Sequence, residues 1–460
     1  MKKICCSLVL AAGMTCLGEV SAELAPKTFN VEIDTSFVEA GRAALEAVGY
    51  FDANRVDAAV LQERLIARPD ARLLETVRVV TLAGEQAATK HVVEYIFPTD
   101  YEVRLNHDAA STTNAAAHVP AIVEPQSFMM REVGAFVNVT PTLMDEDGLI
   151  DLSLMAELVG EPEWKNYGAQ AIWDGAATGD LPMDQPFFPL RASVDTQVLV
   201  RPGRTLVFGG MTDSRRANED KFVLAFVTTR LVDFAGNGSV PPQRRVGCAS
   251  KQLELDFRYV SADGKTLGEV GYFGTNRVDA AVLLERLGTH RGAKLLESPR
   301  LVTRPGEEAV VKGVLEYIYP TDYVVVQAES SQMAGTNAVN GIDCACAAVK
   351  PQSFTVREVG TIVDVTPIVL DDGNLIDLRL VAQLVGEPEW KDYGEKAKWK
   401  GSAIDGLTME QPLFPVRSSV DTSIRVKPGE TCVFSGGADT RTGDEGQFVL
   451  VFVTPRFIEP

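Results

Sequence analysis

The chain has 460 residues, 45% of them hydrophobic and 23% charged, which describes a folded protein of about two to three domains and excludes collagen-like, disordered and helical-membrane classes. Its 44 basic and 63 acidic residues leave a net charge of -19, which repels phosphate backbones, so nucleic acid is excluded as an expected partner.

The first segment reads as an address. Lys2 and Lys3 precede an apolar stretch over residues 4–17, and Val20-Ser21-Ala22 supplies small residues for cleavage, so residues 1–22 are expected to be a secretory signal. A lipidated Cys16 is the weaker alternative, because Gly13-Met14-Thr15 lacks the aliphatic and small residues expected before such a cysteine. No later run approaches the roughly 20 apolar residues of a spanning helix. The exported chain is therefore expected to be soluble or inserted as β-structure.

An internal duplication organises the remainder. Gly49-Tyr50-Phe51 and Asn54-Arg55-Val56-Asp57-Ala58-Ala59-Val60-Leu61 return 222 residues later as Gly271-Tyr272-Phe273 and Asn276-Arg277-Val278-Asp279-Ala280-Ala281-Val282-Leu283. Glu94-Tyr95-Ile96 returns as Glu316-Tyr317-Ile318 at the same offset. Pro125-Gln126-Ser127-Phe128 returns as Pro351-Gln352-Ser353-Phe354 at offset 226, so four residues were added in the second copy. The repeats are expected over 23–235 and 252–460, joined by a linker over 236–251 whose start, Gly236-Asn237-Gly238-Ser239-Val240-Pro241-Pro242, has no apolar periodicity.

Within each repeat, one helix comes first. Asn54 is placed to cap it, Asp57 suits its positive end, and Val56, Val60, Leu61 and Leu65 make its apolar stripe. A soft stretch of small and polar residues follows at 106–117 and at 329–347. Ile150, Leu152, Leu154, Ala156 and Leu158 then alternate with Asp151, Ser153, Met155 and Glu157, as do Ile376, Leu378, Leu380, Ala382 and Leu384 in the second copy. Such alternation fits a sheet with one face on a core, or a barrel wall facing lipid; Leu154 is expected against a core and Leu380 against either.

Trp164 and Tyr167, with Trp390 and Tyr393, follow these strands as core caps or as anchors at an interface or membrane boundary. Projecting hairpins are expected over 166–185 and 392–411. Turns are signalled at Asp145-Glu146-Asp147-Gly148, Arg201-Pro202-Gly203-Arg204, Arg304-Pro305-Gly306-Glu307 and Lys427-Pro428-Gly429-Glu430.

Little in the chain points to catalysis. His91, His107, His118 and His290 have no counterparts between repeats, Ser127 and Ser353 lack a nucleophile turn, and no phosphate-cradling glycine loop is present. The carboxylates Asp57 and Glu63, repeated as Asp279 and Glu285, read as solvated helix surface. No catalytic, cofactor or metal residue is therefore expected. After signal removal Cys248, Cys344, Cys346 and Cys432 remain; an oxidising compartment permits one or two disulfides among them, free thiols are the expectation in a less oxidising one, and a metal or redox pair is the functional alternative, although Cys344 and Cys346 are too close to pair with each other without strain.

The ordered motifs resemble the secretin family of ring-forming outer-membrane channels. They are Lys294-Leu295-Leu296-Glu297-Ser298-Pro299-Arg300-Leu301-Val302-Thr303, then Gly306-Glu307-Glu308-Ala309, Arg357-Glu358-Val359-Gly360, Val363-Asp364-Val365-Thr366-Pro367, and the hairpin from Asp421-Thr422 to Ser435-Gly436-Gly437. The first copy carries Leu73-Leu74-Glu75-Thr76-Val77-Arg78, Arg131-Glu132-Val133-Gly134, Val139-Thr140-Pro141 and Phe208-Gly209-Gly210. The resemblance implies a mainly β fold with minor α, in two tandem secretin-like antiparallel β domains, each with one packed helix. It also implies a non-enzymatic, homo-oligomeric component of a type II or III secretion or type IV pilus system, with other components as partners, in the periplasm or outer membrane of a diderm bacterium. A soluble periplasmic binding or scaffold module of the same fold is the other reading.

Overall fold

The computed structural model describes residues 30–52, 56–105, 121–144, 148–168, 170–173, 176–180, 182–212, 221–232, 251–273, 278–327, 346–370, 373–393, 398–399, 402–403, 409–439 and 447–460. The fold is mainly β with minor α, as the alternating strands require. Two large antiparallel sheets, one of nine strands and one of eleven, carry nearly all of the framework, and both run through both repeats.

In the nine-stranded sheet, Ala71–Leu82 lies at one edge, followed by Asn30–Gly41, Lys221–Val232 and Thr205–Thr212 of the first repeat. The second repeat continues it through Arg300–Thr303, Gln252–Asp263, Gln447–Ile458 and Cys432–Asp439, with Ala293–Glu297 also paired to Gln252–Asp263. In the eleven-stranded sheet the first repeat supplies Ala87–Leu105, Ala121–Met144, Leu149–Val159 and Asp184–Val200. The second then supplies Ala309–Gln327, Cys346–Leu370, Leu375–Val385 and Val416–Val426, and the short strands Glu163–Asn166, Gln170–Trp173 and Ala176–Asp180 of the first repeat make up the eleven.

The period-two strands turn their apolar sides toward the other sheet. Ile150, Leu152, Leu154 and Ala156 have no exposure, and Ile376, Leu378, Leu380 and Ala382 are as deeply buried, all in one core with Val31, Ile33, Leu253 and Leu255 of the opposite sheet. Leu380 therefore faces a packed core, as Leu154 does, and of the two neighbours expected for it the structure gives protein and not lipid. Period two reports an apolar neighbour without saying whether it is lipid or protein. Outward faces carry charge instead: Arg230 pairs with Glu32 and Asp34, Arg78 pairs with Asp34, and Lys90 pairs with Glu132.

The expected helix of each repeat is Ala58–Ile66 and Ala280–Thr289, packing Leu61 and Leu65, or Leu283 and Leu287, on the end of the nine-stranded sheet. Its cap is Asp57 or Asp279, whose carboxylate accepts from the backbone N–H of Ala59 or Ala281. Asn54, expected as the cap, lies outside the described residues. Val60 is 38% exposed, so the apolar stripe is narrower than the spacing implied. A six-residue helix absent from the sequence reading, Arg42–Ala47 or Gly264–Glu269, precedes each of these.

The Pro-Gly turns form as expected, with Gly203 at φ 87° and Gly429 at φ 82°. Ser127 and Ser353 recur for a backbone reason: their φ values are 46° and 56°, and each carbonyl accepts from the hydroxyl of Thr99 or Thr321 across the ladder. The segments 106–117 and most of 329–347 lie outside the described residues. No helix among the described residues is long and apolar enough to cross a membrane.

Candidate functional site

The feature that the duplication does not predict is the joint where the repeats meet. In the eleven-stranded sheet, Asp184–Val200 pairs with Ala309–Gln327: Asp195 lies opposite Val310, Val194 opposite Val311, Leu190 opposite Val314 and Phe188 opposite Glu316. In the nine-stranded sheet the contact narrows to Gly209 opposite Arg300, with the Ser298 N–H donating to the Gly210 carbonyl beside it. Pro299 accepts from the Phe257 N–H of its own repeat and has no N–H to return, which splits its strand into Ala293–Glu297 and Arg300–Thr303. The first copy has Thr76-Val77 there, and its strand Ala71–Leu82 runs unbroken.

Buried polar groups lock the narrow part. The Arg300 guanidinium donates to the Tyr50 carbonyl at 2.9 Å and lies 4.3 Å from the centre of the Tyr50 ring, while the Tyr50 hydroxyl donates to the Ser298 carbonyl at 3.3 Å. Gly210 permits this approach: at φ 91°, a Cβ would stand 2.3 Å from the Ser298 carbonyl oxygen. Next to it the buried Glu297 carboxylate accepts from the Thr212 N–H at 2.7 Å and from the Thr212 hydroxyl. Burial pushes the Glu297 carboxyl up to about 7, against the pull of the Thr212 donors.

Farther along, ion pairs and aromatic rings close the wide part of the joint. Arg131 pairs with Glu316 at 2.8 Å, Lys165 with Glu410 at 2.9 Å, Lys350 with Asp100 at 3.3 Å and Arg304 with Asp151 at 2.6 Å, each crossing from one repeat to the other. Burial pushes the Glu316 carboxyl up and the Lys165 ammonium down, and their partners oppose both shifts. Tyr167 donates to the Ile318 carbonyl at 2.9 Å and packs against Phe354 and Trp390, with ring centres at 5.9 and 5.7 Å. The Lys165 ammonium sits 3.0 Å from the Trp390 ring centre.

The four aromatic candidates are thus divided. Tyr167 is 6% exposed and Trp390 partly buried, and these two meet; Trp164 and Tyr393 are each 49% exposed. Cys432 stands as a half-buried free thiol, and burial raises its pKa. Cys248 and Cys344 lie outside the described residues, and of Cys346 only the backbone at the start of its strand is described. The expected hairpin after Trp164 is seen as Gln170–Trp173 paired with Ala176–Asp180, and it reaches across to Cys346 and Ala347.

Among the described residues no group of three or more histidine, cysteine or acidic side chains is placed to hold a metal ion. A cavity of about 540 Å³ beside the joint mixes Arg42, Arg258 and Arg456 with Glu46, Asp52 and Asp256, so its wall has no single sign of charge. The arrangement binds one sheet edge to another. The pairs Arg131 with Glu316 and Tyr50 with Arg300 are not foreseeable from the sequence pattern, although Arg131, Glu316 and Tyr50 are the same residue type in both copies and Arg300 matches Arg78.

The chain belongs to the secretin family, described as bacterial type II and III secretion system proteins. The family pattern matches residues 65–223 and 287–452, one stretch in each repeat and together more than half of the chain. Among solved structures it is similar to the type IV competence pilus secretin PilQ of V. cholerae, at 12% identity and TM-score 0.21 over 55% of this chain and 69% of that one. It is also similar to Aeromonas hydrophila ExeD, at 12% identity and TM-score 0.16 over 46% of this chain and 49% of that one. The type II secretion system secretin GspD of E. coli K12 matches at 12% identity and TM-score 0.17, over 51% of this chain and 56% of that one. The chain spans about half the length of the last two. No curated protein matches it.

Proposed function

We propose that the protein is a non-enzymatic wall component of a bacterial envelope machine for secretion or type IV pilus passage. It assembles side by side into a ring in the periplasm or outer membrane of a diderm bacterium. Residues 1–22 serve as its export signal, the repeats 23–235 and 252–460 are its two wall units, and 236–251 connects them.

The observation that carries this reading is the continuity of both sheets across the repeat boundary. A unit that joins its neighbour by two sheet edges at once, and among the described residues still ends in edges with no further strand, is built to be extended. The charged outward faces favour a wall wetted by water over the described part, which also suits the soluble scaffold reading. Negative-stain imaging of the exported protein separates the two. Rings are expected; a monodisperse monomer in both detergent and aqueous buffer would refute the wall component and leave the scaffold.

A further inference from the structure

The duplication allows each side of the inner joint to be compared with its counterpart at a free edge. Leu315 and Ile318, covered at the joint, are 3% and 6% exposed; their counterparts Val93 and Ile96 on the free strand Ala87–Leu105 are 59% and 67% exposed. On the other side Phe187 and Leu190 are 8% and 4% exposed, whereas Leu413 and Val416 at the opposite free edge are 39% and 54% exposed. Tyr167 is buried where Tyr393 is open. Phe354 is partly buried, and its counterpart Phe128 is 59% exposed. These apolar residues, uncovered at the outer edges, are thus ones that the joint covers when a repeat has a neighbour.

Charge agrees with shape. Arg131 and Glu316, paired inside the chain, have counterparts Arg357 on the second repeat and Glu94 on the first, both exposed and of the right signs. Lys165 and Glu410 become Lys391 and Asp184, again opposite in sign. Arg300 over Tyr50 becomes Arg78, exposed on the edge strand Ala71–Leu82, and Tyr272, which is only partly buried.

We infer that a second copy of this chain docks head to tail, its first repeat against the second repeat of the copy before it. The edges Val416–Val426 and Cys432–Asp439 of one copy receive Ala87–Leu105 and Ala71–Leu82 of the next. Transferring the inner register places Asp421 opposite Ala88, Val420 opposite Thr89, and Val416 opposite Val92 of the neighbour. Arg357 then pairs with the neighbour's Glu94, and Tyr393 donates to the carbonyl of its Ile96. This rests on the side-by-side assembly proposed above and supplies its contacts.

The joint between chains differs from the one within them. Lys350 with Asp100 becomes Glu124 with Asp322, two acids, and Arg304 with Asp151 becomes Leu82 with Asp377. Joints of two kinds therefore alternate, the covalent one richer in ion pairs, and a closed ring carries an even number of repeats.

The test joins cross-linking to charge exchange in the exported full-length protein. Ala88→Cys together with Asp421→Cys, both at exposed positions, is expected to give an oxidation-dependent ladder of multimers that neither single variant gives. Ala88→Cys with Arg425→Cys, four residues out of register, is expected to give none. Arg357→Glu is expected to weaken association about tenfold, as Glu94→Arg should, and the double exchange should restore it. Rings that persist without the in-register ladder, or with equal ladders from both pairs, would overturn this joint while leaving the ring standing. An absence of multimers in negative stain would overturn both.

Discussion

Glu297 gives the sharpest test of the inner joint, because one buried carboxyl is held there by two donors from a single threonine of the other repeat. Its carboxyl is raised from 4.5 to about 7, chiefly by desolvation. At about 1.4 kcal/mol for each tenfold change, that displacement corresponds to about 3 kcal/mol. The sign follows from linkage: below pH 4.5 the group is protonated in folded and unfolded chains alike, and its contribution is intact. As pH rises through 7 the unfolded chain has already released its proton and the folded one must bury a charge, so stability falls by up to about 3 kcal/mol. Glu297→Gln keeps an acceptor for Thr212 without the charge. Urea unfolding of both proteins from pH 4 to pH 8 should show the variant within about 1 kcal/mol of the parent at the acid end and more stable than it at the alkaline end. Parallel pH profiles would refute the argument, since every other titrating group is shared.

Gly210 and Gly84 have the same φ, 91°, but a Cβ on Gly84 meets nothing within 4 Å, so Gly84→Ala should cost about 1 kcal/mol and Gly210→Ala at least about 2, read from urea midpoints. Tyr167→Phe should lose about 1 kcal/mol with the bond to Ile318, while Tyr393→Phe should leave the stability of the isolated chain unchanged. Leu154→Arg and Leu380→Arg should both prevent folding, since each buries an unpaired charge in the core between the sheets. Single cysteines at 154 and 380 should both escape a lipid-soluble label in membrane fractions; labelling at 380 alone would show that the second repeat faces lipid.

Much of the local structure was readable because its causes are local. The alternation from Ile150 to Leu158 sets which side of the strand is apolar, and Pro202-Gly203 makes its turn. The helix cap is expected at Asn54 and is made by Asp57, three residues on, because cap-forming residues before a helix do not fix which of them starts it. The open question at Leu380 has the same origin: periodicity names an apolar side without naming what covers it. The joint has no local cause. Leu190 meets Val314 across more than a hundred residues, and no pattern in either strand specifies that partner. Tyr167 and Tyr393 make the limit plain, for each follows a matching Glu-Trp-Lys, yet one is buried and the other half exposed. Identity of residue could not distinguish them, because the difference lies in whether another repeat stands beside the edge. The duplicated chain therefore acts as its own control: at Tyr167 and Tyr393 the side chain is unchanged, and what differs is a neighbour.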